Sequence, residues 1–224
     1  MNTFILSIYL FLRRYFRWGT GILLSGMTVS AGAQGLAAME IIPLPVSPAP
    51  SCHIQAPDGG RYLYARLTAG LFRVKDTASL PPMTQRWSVM CDAPASPVLQ
   101  VRDLQAPAGG DQDSTAFGLG AVNGQGALGI YRITLSHADT NGRTTGLYET
   151  SDPSVTGRVA AQQVVSAGKY YGWSETGTGP DKGTVFSVDI TVSPQLNSLQ
   201  RTGGPLVSGA ELDGQAEITF SFGL

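Results

Sequence analysis

From about Tyr62 onward, apolar residues recur at every second position, in runs of 5 to 9 residues cut by clusters of Gly, Pro, Asn and Asp. A period of two sends alternate side chains to opposite faces of an extended chain, so the pattern predicts strands rather than helices. The candidate strands are Tyr62–Leu67, Gln85–Cys91, Val98–Leu104, Gly129–Ser136, Thr144–Glu149, Val159–Val165, Thr184–Val192 and Gln215–Phe222. Eight or nine antiparallel strands of this length predict an all-β, immunoglobulin-like or pilin-like β-sandwich. The clearest hairpin joins Ile130–Leu135 to Thr144–Glu149 across Asn141-Gly142, a pair suited to the two positive φ angles of a type I′ turn. Arg158–Ala167, with two alanines and two glutamines, also fits a short helix capped by Gly168.

The composition agrees with a folded, turn-rich chain. Its 224 residues include 28 Gly and 14 Pro, yet 42% are apolar and the mean hydropathy is +0.04, too apolar for a disordered segment. With 15 basic against 16 acidic residues there is no positive field for a phosphate backbone. Nucleic acid is thereby excluded as an expected partner.

The first 33 residues read as a secretory signal. They hold Arg13, Arg14 and Arg17, no acid, and an apolar stretch from Gly19 to Val29 ending in Ala31-Gly32-Ala33. Cleavage is expected after Ala33, with Ala37-Ala38 as a later alternative. Phe4–Leu12 is apolar too, but nine residues fall short of the roughly 20 that span a bilayer as a helix, so no membrane span is expected after cleavage. Arg13-Arg14 also fits a twin-arginine export signal, although Arg17 stands where that pattern prefers an apolar residue. Loss of the three arginines leaves 12 basic against 16 acidic residues. The expected organisation is a signal over 1–33, an extended Pro-rich arm over 34–51 and one sandwich domain over 52–224.

Both cysteines, Cys52 and Cys91, lie in the part expected to be exported, where an oxidising compartment joins an even pair. A Cys52–Cys91 disulfide is predicted. In the arm, Pro43, Pro45, Pro48 and Pro50 exclude an ordinary central strand. Ile42, Leu44 and Val46 nevertheless share one face at period two. That face needs a surface to cover it, unless the arm is a polyproline-type leader.

No constellation points to catalysis. Gly124-Gln125-Gly126-Ala127-Leu128-Gly129 spells a dinucleotide fingerprint, but Ile130–Leu135 after it alternates like a strand where a helix is required. His53 and His137 are the only histidines and lack the context of a triad or a zinc site. Asp111-Gln112-Asp113 lacks the later Gly and Glu of a calcium loop. The expectation is a non-enzymatic protein with no cofactor and no metal. Tyr170, Tyr171 and Trp173 precede the Gly-rich run 177–183, so they are candidates either for glycan stacking or for the core. At the C-terminus, Gln215–Phe222 predicts a last strand with Ile218, Phe220 and Phe222 inward and Glu217, Thr219 and Ser221 outward.

The extended arm before Cys52, Phe117-Gly118-Leu119-Gly120 followed by Gly129-Ile130-Tyr131, and Leu212-Asp213-Gly214-Gln215-Ala216 together resemble the GltF-like family of exported bacterial proteins of unknown function, often grouped with fimbrial components. The likeness spans about 170 residues. More distantly, the layout is similar to chaperone–usher pilins, whose incomplete sandwich is completed by an alternating arm from the next subunit. The resemblance implies a fimbria-like surface subunit or associated adhesin in the periplasm, a fimbria or the cell surface of a Gram-negative bacterium. It also implies Ile42, Leu44 and Val46 as the donor-strand face, and a C-terminal strand held by a periplasmic chaperone and passed to an usher and neighbouring subunits. This chain departs from pilins in Pro43 and Pro45, which remove amide donors, and in Gly223, where pilins carry an aromatic. The other functional reading is a soluble periplasmic carbohydrate-binding module built on Tyr170, Tyr171 and Trp173, its ligand a glycan or host surface.

Overall fold

The structure, a computed structural model, describes residues 4–12, 50–105 and 113–223. The described residues make one compact unit. Ile42, Leu44 and Val46 lie outside the described residues.

In chain order the strands are β1 (Phe4–Leu12), β2 (Cys52–Gln55), β3 (Arg61–Tyr64), β4 (Ala78–Ser79), β5 (Met83–Asp103), β6 (Phe117–Gly118), β7 (Ala121–Val122) and β8 (Gly126–Ala127). They continue as β9 (Gly129–Thr140), β10 (Arg143–Thr144), β11 (Gly146–Thr150), β12 (Arg158–Ala160), β13 (Gln162–Val164), β14 (Tyr170–Ser174), β15 (Gly183–Leu196) and β16 (Gln215–Gly223). The fold is all-β and sandwich-like, a large curled antiparallel sheet.

Its hinge is β5. The first half, Met83–Met90, pairs with β15, which pairs on its other edge with β9. The second half, Ser96–Asp103, pairs with β16, and Val98–Gln100 pairs with β14 on the opposite edge. One strand of 21 residues thus serves two layers, as a wide twisted sheet requires when it folds over on itself. Pro94 and Pro97 lie where the strand changes layer. They make the sequence read as two separate strands, whereas the backbone runs through.

Between the layers lies the core, in which Tyr62, Leu99, Tyr131, Tyr171, Phe186 and Phe220 are all fully buried. Burying an aromatic or aliphatic side chain of this kind stabilises the fold by roughly 1.5–3 kcal/mol before ordering costs. Cys52 and Cys91 face each other as cross-strand partners of β2 and β5, 4.0 Å apart between Cα atoms, and are joined by the predicted disulfide.

Two local expectations change. The Asn141-Gly142 turn forms with both φ angles positive, 52° and 79°, but only Arg143 and Thr144 pair with β9 beyond it. After Thr145 the chain crosses to the other layer, where β11 pairs with β14 and β12. Arg158–Ala167 forms no helix. Its β-branched Val159 and Val164 suit strands, and β12 and β13 pair with β11 and β9 respectively, so the segment is a corner between layers. Gly168, at φ +81°, forms a turn before β14 instead of a helix cap.

Candidate functional site: a strand-wide slot between β3 and β16

β3 and β16 are not paired with each other. β1 lies between them, antiparallel to β3 from Phe4 to Ser7 and parallel to β16 from Ser7 to Leu12. Ser7 stands opposite both Arg61 and Gln215, the point at which the strand passes from one neighbour to the other. Among the described residues this is the single parallel pair, and β1 is the only strand that pairs with β3. Without β1, the backbone edges of β3 and β16 face each other across the space of one strand. Adjacent strands lie about 4.8 Å apart, so such a gap is roughly twice that.

The walls of this slot are built by alternation. On β16, Ala216, Ile218 and Phe220 are fully buried, while Gln215, Glu217, Thr219 and Ser221 are half-buried on the other face. Phe222, expected inward with them, is only half-buried, because the strand runs out of core at its end. Glu217 meets Arg102 of β5 at 2.7 Å on the outer face, with the arginine open to solvent, a pair of small energetic weight. On β3, Tyr62 and Tyr64 point inward and Arg61 and Leu63 outward.

The inward tyrosines hold β3 to the opposite layer. Tyr62 donates to the Ile190 carbonyl at 2.9 Å, and Tyr64 donates to those of Val192 at 3.3 Å and Pro81 at 3.2 Å. Burial drives both hydroxyls toward the neutral form, with Tyr64 pushed up to about 12 and Tyr62 higher still. The strand expected over Tyr62–Leu67 forms, but over Arg61–Tyr64. Its place as one lip of a slot was not legible, since that depends on a neighbour more than 100 residues away in sequence.

The two segments that carry the family resemblance meet in space. Asp213 N–H donates to the Leu119 carbonyl at 3.3 Å. A Cβ on Gly120, whose φ is +91°, would lie 3.4 Å from the Asp213 Cβ. This contact leads directly into β16.

The other sequence candidates lie elsewhere. Tyr171 and Trp173 are buried in β14, and Tyr170 is half-buried. Trp173 packs edge-on to Phe186 at 5.7 Å and donates to the Ser187 carbonyl at 3.0 Å. Tyr171 donates to Glu149 at 2.8 Å and accepts from Ser166 N–H at 2.7 Å. Their rings have no free face for a sugar, which corrects the glycan assignment for these two residues. β5 and β11 pair with the two edges of β14, and Tyr171–Ser174 are buried one after another, so both faces are covered and the residues do not alternate in polarity.

Gly126 and Gly129 of the nucleotide-like motif allow close backbone approach. A Cβ would fall 2.0 Å from the Thr202 carbonyl oxygen at Gly126 and 2.2 Å from that of Gln195 at Gly129. β9 follows directly. His137 sits exposed at φ +48°, 3.1 Å from an Asp189 carboxylate oxygen, beside the irregular register of Ser187 and Asp189. Asp113 accepts from Thr115 and from Arg132 at 2.9 Å, contacts that hold its carboxyl below the usual range, while Asp111 and Gln112 lie outside the described residues. No described group of three His, Cys, Asp or Glu residues gathers as a metal site, and no described helix is long and apolar enough to cross a membrane.

No family model, no curated protein and no solved structure matches this chain.

Proposed function

We propose that this chain is an exported, non-enzymatic subunit of fimbria type, or an adhesin associated with one, whose sandwich is completed by strand addition, and that it belongs with the GltF-like proteins. The observation that supports this reading is the insertion of β1 between β3 and β16. β1 lies wholly within the segment read as a secretory signal, so cleavage after Ala33 removes it. The mature chain then exposes two unpaired strand edges above an apolar floor, the arrangement that invites an added strand.

The proposed occupant is the arm of a neighbouring copy, with Ile42, Leu44 and Val46 toward the floor. Burial of the three side chains is worth roughly 1.5–3 kcal/mol each before ordering costs. Successive residues of a strand direct their N–H groups to opposite edges, and Pro43 and Pro45 both lack the group. Their missing donors therefore fall on one edge, and Ile42, Leu44 and Val46 keep their donors for the other. A periplasmic chaperone strand is the proposed occupant before assembly.

The test is light scattering of the leader-free protein, wild type and with Ile42, Leu44 and Val46 all replaced by Asp. The wild type should associate, and the triple variant should remain monomeric yet bind an added peptide of residues 38–48. A wild type that is monomeric, stable and indifferent to the peptide would favour a self-contained module.

A further inference from the structure

The residues flanking the Asn141-Gly142 turn and the Gly-rich loop after β14 line a half-open pocket of about 150 Å³. Thr140 and Thr145 in its wall are buried and Asp181 is half-buried, whereas Arg143, Glu175 and Lys182 on its rim are exposed. Asp181 is held from three sides. One carboxylate oxygen accepts from the Thr140 hydroxyl at 3.1 Å and the Thr145 hydroxyl at 2.7 Å, and the other accepts from the Glu175 N–H at 2.9 Å. A second anchor stands beside it, where the Asn141 side-chain oxygen accepts from the N–H groups of Thr184 and Val185. The cavity is thus braced before any ligand arrives, which lowers the ordering cost of binding.

The rim carries charge that the fold does not use. Among the described residues, Arg143, Lys182 and Glu175 enter no salt bridge. A half-open pocket of about 150 Å³ has room for about one ring, well below the size of a drug-like or peptide site. Two cations call for an anionic group, and Arg143 offers the planar fork that suits a carboxylate. Two carboxylates, on Asp181 and Glu175, call for several hydroxyl donors, which an inorganic anion such as sulfate does not offer. A neutral sugar would satisfy only the second requirement and an inorganic anion only the first.

We infer that this end of the sandwich binds a single acidic monosaccharide ring of the uronic acid class, its carboxylate on Arg143 and Lys182 and its hydroxyls on Asp181 and Glu175. None of these residues lies on β3 or β16, so the inference stands or falls separately from strand addition.

Saturation-transfer NMR on the exported protein, with galacturonic acid and galactose as probes, tests it. Galacturonic acid should give a saturable signal with a Kd on the order of 1–10 mM, as one exposed ring allows, and galactose should bind at least about tenfold more weakly. Lys182→Gln and Arg143→Gln should each weaken galacturonic acid by about fivefold or more, with the melting temperature unchanged because both side chains are exposed. Arg66→Gln, at a cation outside the cavity lining, should leave binding as it is. Absence of a galacturonic acid signal at several tens of millimolar, about tenfold above the expected Kd, would overturn the inference. So would equal binding of galactose, or undiminished binding by the two rim variants.

Discussion

The hydroxyl of Tyr62 donates to the carbonyl of Ile190, 2.9 Å away across the sandwich. Tyr62 belongs to a strand whose only sheet partner among the described residues is β1, so this bond is a tie between β3 and the body of the fold that does not run through β1. Both strands that flank β1 are therefore also held by other parts of the fold, β3 from below through this bond and β16 by its pairing along β5.

Tyr62→Phe should remove one buried hydrogen bond, at a cost of about 1 kcal/mol, and lower the melting temperature by about 2–4 °C. Tyr62→Ala adds a core cavity and should cost about 3–5 kcal/mol. If β3 is held as described, the alanine variant should also lose affinity for an arm peptide, whereas the phenylalanine variant should retain it. Equal retention by both would show that β3 is positioned by something else.

The Cys52–Cys91 link closes a loop of 39 residues. In the chain-entropy description, replacing both cysteines by serine should cost about 4 kcal/mol. Urea unfolding of the exported protein with and without reductant checks this, and coincident midpoints would contradict it.

At Gly142 a side chain would meet nothing within 4 Å, so a substitution there tests backbone conformation alone. With φ at +79°, Gly142→Val should cost about 1–2 kcal/mol, while Gly142→Asn should lose less, because Asn tolerates the left-handed region. Equal melting temperatures for the two variants would count against the turn geometry.

This turn also marks the limit of what the sequence discloses. Asn141-Gly142 is legible because the type I′ geometry is local, but the departure of β11 to the other layer is set by partners far along the chain. Gln215–Phe222 is legible because one of its faces is buried and the other is not. Tyr170–Ser174 is covered on both faces and shows no period. Phe4–Leu12 has the apolar composition of a signal segment, and neither alternation nor a turn betrays it as a strand. The slot follows from that strand and from two neighbours at opposite ends of the domain, so the cysteine pair, the last strand and the start of β3 could be read in advance but not their arrangement around β1, and the arm's apolar face lies outside the described residues.

Burial raises the hydroxyl pKa of Tyr62, Tyr64, Tyr131, Tyr148 and Tyr171, that of Tyr64 to about 12 from 10.0. Below the unfolded value both states are protonated and stability is constant. Between about 10 and 12 the unfolded chain releases protons that the folded one keeps, so stability must fall as the pH rises. Urea midpoints measured from pH 8 to 11.5 should be flat up to about 9.5 and then decline. A flat profile throughout would contradict the burial of these hydroxyls.

Hydrogen exchange at β16 tests strand addition most directly, since an amide facing an empty slot has no partner and exchanges quickly. In the full-length chain, where β1 pairs with Gln215–Phe220, slot-facing amides of β16 should be protected. In leader-free monomer they should exchange fast, while those paired with β5 stay slow. Addition of the arm peptide, residues 38–48, should restore protection to alternate positions. Protection of every β16 amide in the leader-free monomer, unchanged by the peptide, would contradict the account.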